Sequence, residues 1–162
     1  MLFRSDPEEC ARAERFIQTA DRRLYIAAHA ALRLLLGTTL GCHPTLVGLL
    51  HDAAGKPLLR GGSRIEFNHS HSGSIALIAM ACEVAVGVDV ERVRSVPDLD
   101  AIAARYLHPT EQRELSRLSS AERVEGFFRC WTRKEAYLKA RGAGLSLPLD
   151  QFDVSQIGRA HV

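Results

Sequence analysis

The chain has 162 residues, of which 46% are hydrophobic, and its formal net charge is +2. This length suits one domain or two small half-domains with a buried core, and the small charge gives no indication of nucleic-acid binding. We see no run of about 18 apolar residues that would predict a membrane span, and the N-terminus MLFRSDPEEC lacks the apolar segment of a signal peptide. The four cysteines form no C-x-x-C motif, which predicts reduced thiols in a cytoplasmic protein.

The first half of the chain is predicted to contain two helices followed by strands. Ser5 supplies a capping residue before a proline and two acids, so a helix is expected from there to about Phe16. A second, Ala- and Leu-rich helix is expected over residues 21–36, ended by Gly37 and Gly41. Stretches rich in β-branched or apolar residues predict strands over 45–52, 64–70, 74–82 and 84–92, with a turn at 52–57.

The second half is predicted to be mostly helical. Helices are expected over residues 99–107 and 109–118, followed by a long helix in SSAERVEGFFRCWTRKEAYLKARGAG. Ser119 and Glu122 have the spacing of a capping box, and Gly142 is a natural helix stop. Helices beside a mostly antiparallel sheet indicate an α+β fold.

The stretch GVDVE places two carboxylates on one face of a strand. Side chains alternate along a strand, so Asp89 and Glu91 project together. Two such carboxylates repel unless a cation lies between them, and Mg²⁺ prefers oxygen ligands and keeps water or substrate phosphate in its shell. The alternative is a solvated edge strand whose acids pair with Arg92 and Arg94.

The long helix carries a second charged cluster in WTRKEAYLKARG. Trp131, Glu135 and Lys139 are spaced four residues apart and share one helix face. Glu135 is therefore a candidate third metal carboxylate, with a lysine ready for phosphate. The alternative is an ordinary Glu–Lys pair on the helix surface, worth about 0.3–0.5 kcal/mol.

The stretch FNHSHSG places His69 and His71 on one strand face and Ser70 and Ser72 on the other. A zinc site would need further ligands at sensible spacing, and the other histidines form no such pattern. A Ser-His-Asp hydrolase would need a G-x-S-x-G elbow, which the sequence lacks. An imidazole, a hydroxyl and backbone N–H groups at a strand end can hold phosphate.

Further cations occur in GKP and DRR, where Lys56 lies in a turn and Arg22 and Arg23 at a helix start. Each of them can be a solvated surface charge. Together with the carboxylates and the Ser-His strand end, however, they suit a phosphoanhydride substrate that is bridged by Mg²⁺ and held by cations.

In this order, GKP, FNHSHSG, VGVDVE and FFRCWTRKEAYLKARGAGL resemble the surfactin-type 4'-phosphopantetheinyl transferases, over roughly Asp6 to Val154. The resemblance implies an enzyme that moves the phosphopantetheine arm of coenzyme A to a serine of an acyl or peptidyl carrier protein and releases adenosine 3',5'-bisphosphate. It also implies a monomeric pseudo-dimer of two similar α+β halves with the active site between them, which we place at residues 1–94 and 95–162.

Residue by residue, the resemblance implies that Asp89, Glu91 and Glu135 bind Mg²⁺, that Glu135 is also the candidate base for the carrier serine, and that Lys139 stabilises pyrophosphate charge. The implied coenzyme-binding residues are Lys56, Ser70, His71, Lys134, Lys139, Arg22 and Arg23. Lys134 would contact the coenzyme or support the site, and Trp131 would pack the helix. His69 is read as a substitution without a catalytic role. Leu24 replaces an arginine of many relatives, which predicts weaker coenzyme binding.

The family normally continues for some tens of residues beyond FDV, so we expect the second half to be incomplete. Residues 157–162 can be encoded by a common sequencing-library adapter and are predicted to be non-native. The loss of strands would then expose apolar faces around Phe127, Phe128 and Leu138. Two alternatives stay open, namely an inactive coenzyme A- or carrier-binding fragment and an unrelated histidine-metal hydrolase that uses His69 and His71. Which carrier and pathway are served, and which acyl groups are tolerated, is open as well.

Overall fold

The computed structural model describes residues 7–53, 55–142 and 147–155. Its helices are α1 (Pro7–Glu14), α2 (Thr19–Leu40), α3 (Leu99–Tyr106), α4 (Pro109–Ser116) and α5 (Ser120–Arg141), with 3₁₀ turns at Pro44–Leu46 and Leu149–Gln151. Its strands are β1 (Leu49–His51), β2 (Pro57–Leu59), β3 (Ile65–Ser72) and β4 (Ile75–Cys82). The predicted cap at Ser5 and the predicted non-native residues 157–162 lie outside the described residues.

The strands form two antiparallel pairs, β1 with β2 and β3 with β4. The β3–β4 register runs from Ile65 opposite Cys82 to Ser72 opposite Ile75, and α2 packs across both strands. The mixture of helices and small antiparallel sheets agrees with the predicted α+β class, whereas the pseudo-dimer and the boundary at residue 94 stay predictions. Strand β2 was not predicted, because a three-residue strand carries too short a pattern to separate from the turn before it.

The predicted strand over residues 84–92 is wrong, since residues 85–96 have no regular backbone pairing. The segment instead follows β3, and its N–H groups donate to side chains of that strand. These bonds run from Val88 to Asn68 Oδ1 at 2.9 Å, from Val90 to Ser70 Oγ at 3.4 Å and from Arg92 to Ser72 Oγ at 3.0 Å. Polar side chains therefore occupy the place of a backbone ladder, while the extended course of the segment matches the prediction.

The helix ends follow the predicted chemistry with one exception. Ser119 and Glu122 form the predicted capping box of α5, and Gly142 ends that helix in a left-handed conformation with φ of 62°. Helix α2 continues past Gly37 to a left-handed cap at Gly41. Gly37 is needed for packing rather than for ending the helix, because a Cβ there would lie 2.8 Å from the Cys42 carbonyl oxygen.

An ion-pair network that the sequence did not indicate fixes α1 to α2. Arg33 is buried, and its guanidinium donates to Glu9 at 2.9 Å and to the Val47 carbonyl at 2.8 Å. His29 lies 3.2 Å from the same carboxylate. Burial raises the pKa of Glu9, but bonds from His29 and Arg33 outweigh it and bring the pKa to about 2.

The buried apolar residues form two clusters. One joins α2 to β3 through Leu32, Leu36, Val47 and Phe67. The other joins α3, α4 and α5 and consists of Ala103, Leu107, Leu115, Phe127 and Phe128. The expected exposure around Phe127, Phe128 and Leu138 is not found, because these side chains are 4%, 8% and 2% exposed. Helices α3 and α4 cover the two phenylalanines. All four cysteines are free thiols, as predicted.

Candidate active site

The polar face of α5 meets the end of β3 and the extended segment 88–92 in one open cleft of about 630 Å³. The alternation along β3 explains why Ser70 faces the carboxylate segment, and the predicted face of α5 explains why Glu135 and Lys139 point to the same place. The cleft is lined by His69, Ser70, His71, Asp89, Glu91, Trp131, Glu135 and Lys139. Residues from three separate motifs of the sequence therefore share one space.

A close backbone contact holds the carboxylate segment against α5. A Cβ on Gly87 would lie 1.9 Å from the Ala136 carbonyl oxygen and 2.4 Å from the Ala140 nitrogen. Both atoms belong to helix backbone and cannot swing aside, so only glycine fits at this place. The contact lies two residues before Asp89, and it thereby sets the distance between that carboxylate and the side chains of α5.

Asp89 is the most enclosed acid of the cleft, with its side chain 5% exposed. Its Oδ1 accepts hydrogen bonds from the Ser70 hydroxyl at 2.8 Å and from the Lys139 ammonium at 2.5 Å. Its Oδ2 is buried, and none of the described residues provides it with a partner. A buried carboxylate oxygen without a partner is costly, so this atom is a strong candidate ligand for a cation.

Glu135 faces the same space one helical turn before Lys139. Burial raises the pKa of Glu135, and the Asp89 carboxylate and then Glu91 add to the rise, while Lys139 opposes it. Glu91 is more peripheral and accepts a hydrogen bond from the Ser72 hydroxyl at 3.0 Å. The cleft thus collects three carboxylates around one ammonium group.

Within the part of the chain that the structure describes, no group of three or more His, Cys, Asp or Glu side chains is arranged to hold a metal ion. Asp89, Glu91 and Glu135 line one cleft but do not form a finished ligand shell. The residues still fit Mg²⁺, because all are oxygen donors, Asp89 has an unused buried oxygen, and Mg²⁺ takes few protein ligands and keeps several waters. The histidine-metal alternative gains no support from the described residues.

Lys134, predicted to contact the coenzyme or to support the site, is fully buried. Its ammonium lies 2.8 Å from Glu111 and donates to the carbonyls of Leu149 at 2.7 Å and Phe152 at 2.6 Å. Three acceptors occupy the three N–H groups of this lysine. The structure therefore contradicts a coenzyme contact for Lys134 and favours the supporting role.

Three other predicted coenzyme residues do not line the cleft. Arg22 and Arg23 are exposed near the start of α2. Lys56 lies 3.4 Å from the Ala140 carbonyl and 3.8 Å from Glu66, beside the end of α5. Its ammonium thus reaches the neighbourhood of Lys139 without entering the space between the carboxylates.

An aromatic wall that no sequence motif indicated lies behind the histidines. The His69 ring meets His29 edge-on at 5.0 Å, and the His71 ring meets Tyr25 at 6.2 Å. Burial, followed by the nearby cationic groups, lowers the pKa of His69 to about 4 and also lowers that of His71. Both rings are therefore neutral at neutral pH. The helical spacing of Tyr25 and His29 was the available signal for this wall.

Two further hollows adjoin the cleft. One, of about 510 Å³, lies behind His69 between α1, α2 and β1, and Arg12 and Arg15 line it. The other, of about 740 Å³, lies between α3 and α5, shares Glu91 and Trp131 with the cleft, and has mostly apolar walls. The three spaces together offer charged and apolar surfaces to a ligand larger than the central cleft.

Comparisons with known proteins point to one family over both halves of the chain. A family model described as "4'-phosphopantetheinyl transferase, N-terminal" matches residues 3–83, and one described as "4'-phosphopantetheinyl transferase superfamily" matches residues 85–161. The chain is 38% identical over 151 residues to the 4'-phosphopantetheinyl transferase HetI of Nostoc sp., covering 91% of this chain and 63% of the relative.

Two further relatives agree. A putative 4'-phosphopantetheinyl transferase of Synechocystis sp. is 36% identical over 146 residues, covering 89% of this chain and 59% of the relative. The 4'-phosphopantetheinyl transferase Sfp of Bacillus subtilis is 28% identical over 148 residues, covering 91% of this chain and 65% of the relative. The chain thus spans only about three fifths of the length of these relatives.

Across the described residues, no helix is both long and apolar enough to cross a membrane.

Proposed function

Because the chain belongs to the 4'-phosphopantetheinyl transferase superfamily, we propose that it transfers the 4'-phosphopantetheine group of coenzyme A to a serine of an acyl or peptidyl carrier protein. The observation that carries the proposal is the cleft in which Asp89, Glu135 and Lys139 surround Ser70. In the reaction, the serine oxygen attacks the β-phosphorus, and the bond from that phosphorus to the bridging oxygen breaks. Adenosine 3',5'-bisphosphate leaves with the bonding electrons.

Glu135 is the proposed acceptor of the serine proton. A general base must reach the proton that it removes, and a carboxylate with a raised pKa takes a proton more readily than an ordinary one. Burial supplies that rise for Glu135. The side chain also faces the open cleft, where a carrier serine can approach, whereas Asp89 is enclosed behind it.

Lys139 is the proposed stabiliser of charge on the pyrophosphate. Phosphoryl transfer depends on positive charge placed where the oxygens become more negative. The Lys139 ammonium already lies in the cleft, 3.1 Å from Ser70 Oγ. Neutral His71, at the end of β3, can then donate a hydrogen bond to a coenzyme phosphate oxygen. The single O–H of Ser70 donates to Asp89, so a contact of Ser70 with the coenzyme phosphate would require that bond to be exchanged.

Mg²⁺ is the proposed metal, and it would neutralise charge on the pyrophosphate oxygens when bound. Asp89 through its Oδ2, Glu91 and Glu135 would hold it, with waters completing the shell. The hydroxyls of Ser70 and Ser72 orient two of these carboxylates. Glu135 would then remove the serine proton either directly or through a bound water.

The residues outside the cleft have weaker parts in this proposal. Lys56 lies beside the end of α5, where it can reach a coenzyme that extends from the cleft. Arg22 and Arg23 would act by attraction of phosphate at longer range. We further propose that the chain works as a monomer, with residues 1–94 and 95–162 as the two halves around the active site.

The second candidate is an inactive fragment that binds coenzyme A or carrier without transfer. It is favoured by the three carboxylates of the cleft, which form no metal-holding group among the described residues. Binding would need the cations of the cleft, whereas transfer also needs Glu135 as a base. The two candidates therefore differ in their response to loss of that one carboxylate.

The test is intact-mass spectrometry of an apo carrier protein after incubation with this chain, coenzyme A and Mg²⁺. Transfer predicts a mass gain of one phosphopantetheine that is lost in Glu135→Ala and kept in Glu125→Ala. Glu125 is the matched control, because it lies on the same helix in an exposed pair with Arg129. Coenzyme binding without any mass gain across several carriers would establish the second candidate instead.

A further inference from the structure

We propose that Lys139 is a built-in counter-cation of the metal-free site, which holds Asp89 until a divalent cation binds and is then released into the cleft. This inference rests on the proposed function, because it assigns the cation to Asp89. It adds a competition between a side chain of the protein and the metal for the same carboxylate. After its ion pair with Asp89 is broken, the Lys139 ammonium is available to bind a phosphate group.

The contacts of Lys139 are those of a substitute cation. Its ammonium lies 2.5 Å from Asp89 Oδ1 and 3.1 Å from Ser70 Oγ, and the same hydroxyl donates to Asp89 Oδ1 at 2.8 Å. The lysine therefore occupies one side of a carboxylate whose side chain is 5% exposed. The other oxygen, Oδ2, is buried and without a partner among the described residues.

The charge balance explains why one lysine cannot complete the site. Asp89, Glu91 and Glu135 face the cleft together, and among the described residues only the Lys139 ammonium stands between them. A divalent cation on Asp89 Oδ2 would place positive charge beside that ammonium. Like charges a few ångströms apart repel in a partly buried site, so a cation on Oδ2 would compete with the lysine for this carboxylate.

Lys139 can leave, whereas a fixed lysine could not. It lies in the last turn of α5, its side chain is 30% exposed, and it ends a flexible four-carbon stem. Lys134 of the same helix has no exposure and three acceptors. Release moves the Lys139 ammonium toward the open side of the cleft, so binding of the metal and binding of phosphate favour each other reciprocally.

The first experiment measures Mn²⁺ binding to the chain without coenzyme, by the electron paramagnetic resonance signal of free Mn²⁺. Lys139→Met should bind Mn²⁺ about tenfold more tightly than the wild type, because a competing charge is removed. Arg141→Met is the matched control, since it removes a charge from the same exposed helix end, and it should leave the affinity unchanged. Asp89→Asn should lose the site.

The second experiment follows acetylation of individual lysines by mass spectrometry. Mg²⁺ should raise the modification rate of Lys139 severalfold, while buried Lys134 stays protected as the internal control. Equal or weaker Mn²⁺ binding by Lys139→Met, with Asp89→Asn still defective, would overturn this inference and leave the proposed metal site standing. Failure of both the wild type and Lys139→Met to bind Mn²⁺ would overturn the inference together with the metal assignment.

Discussion

Helix α5 carries two lysine–carboxylate pairs, five residues apart, that differ in completeness. The Lys134–Glu111 pair is buried, and the carboxylate also accepts the N–H groups of His108 and Val154, both at 2.8 Å. The Lys139–Asp89 pair leaves one carboxylate oxygen without a partner among the described residues and keeps the lysine partly exposed. A lysine paired with a carboxylate thus serves two different purposes on one helix.

The number of unused hydrogen-bonding groups distinguishes a structural pair from a functional pair better than burial does. In the Lys134–Glu111 pair the three N–H groups of the lysine and both oxygens of the carboxylate have partners. The pair therefore holds α4, α5 and residues 149–154 together. In the Lys139–Asp89 pair an unused oxygen and a movable ammonium remain, as expected where a ligand completes the bonding. The predictions below test this contrast through the free energy of unfolding, from the largest effect to the smallest.

The largest effect is expected for Lys134→Met. Removal of the lysine leaves Glu111 buried and unpaired, which should lower the free energy of unfolding by about 3–5 kcal/mol. Urea denaturation checks this value. The double variant with Glu111→Leu should regain most of the loss, because an apolar pair needs no counter-charge. A loss below about 1 kcal/mol in the single variant would show that the pair is not a structural lock.

The next effect concerns the Glu9–Arg33 network, a second complete pair. The pKa of Glu9 is lowered from its ordinary 4.5 to about 2, which corresponds to about 3 kcal/mol of stability at neutral pH. Because the folded-state pKa is the lower one, this stability is present above about pH 4.5 and is lost as the pH falls toward about 2.

Urea denaturation over that pH range checks the Glu9 prediction. Glu9→Gln should be less stable than the wild type at neutral pH, and the difference should shrink on acidification as Glu9 becomes protonated. A difference that stays constant with pH would mean that the carboxylate charge does not contribute, and that the loss comes from packing alone.

A smaller effect is expected where the two halves of the site meet, in Gly87→Ala. The added Cβ would press on the backbone of Ala136 and Ala140, which should cost about 1–3 kcal/mol and move Asp89 away from Lys139. Gly126→Ala is the matched control on α5, because its Cβ would meet side-chain atoms of Leu118 and Leu115 and no backbone atom. The free energy of unfolding, measured by urea denaturation, and the extent of carrier loading should both fall in Gly87→Ala and not in Gly126→Ala.

The smallest effect on stability is expected for Lys139→Met. Lys139 itself is partly exposed, and Asp89 keeps the Ser70 hydroxyl as a donor after the change, so the free energy of unfolding should fall by only about 1 kcal/mol. Transfer to the carrier should nevertheless be abolished, since the pyrophosphate loses its cation. Denaturation beside the mass assay checks both expectations, and a loss of stability as large as that of Lys134→Met would remove the contrast between the two pairs.

Local patterns predicted much of the fold. The helix positions, the capping box at Ser119, the shared face of Trp131, Glu135 and Lys139, and the alternation along β3 all follow from spacing within one element. The sequence also grouped the residues that now line the cleft, although their catalytic roles remain proposals. Periodicity is a property of a single helix or strand, so it predicts correctly those features that depend on spacing within that element.

The missed features depend on contacts between distant parts of the chain. Arg33 is buried because Glu9 lies 24 residues away in sequence but beside it in space, and Lys134 is buried because residues 149–152 close over it. The segment 84–92 has the composition of a strand, yet its N–H groups donate to side chains of β3 and not to the β3 backbone. A local sequence pattern cannot tell a segment that pairs with the backbone of a strand from one that pairs with its side chains, because the difference lies in the neighbouring strand.

The serine bonds between β3 and the carboxylate segment have one further consequence. Ser70 accepts from the Val90 N–H and donates to Asp89, and Ser72 accepts from the Arg92 N–H and donates to Glu91. Each hydroxyl thus acts as an adaptor that joins a backbone donor to an anionic acceptor, which alanine and asparagine cannot reproduce in the same length. Threonine carries the same hydroxyl at the same distance from the backbone, so it offers the same donor and acceptor to these two bonds.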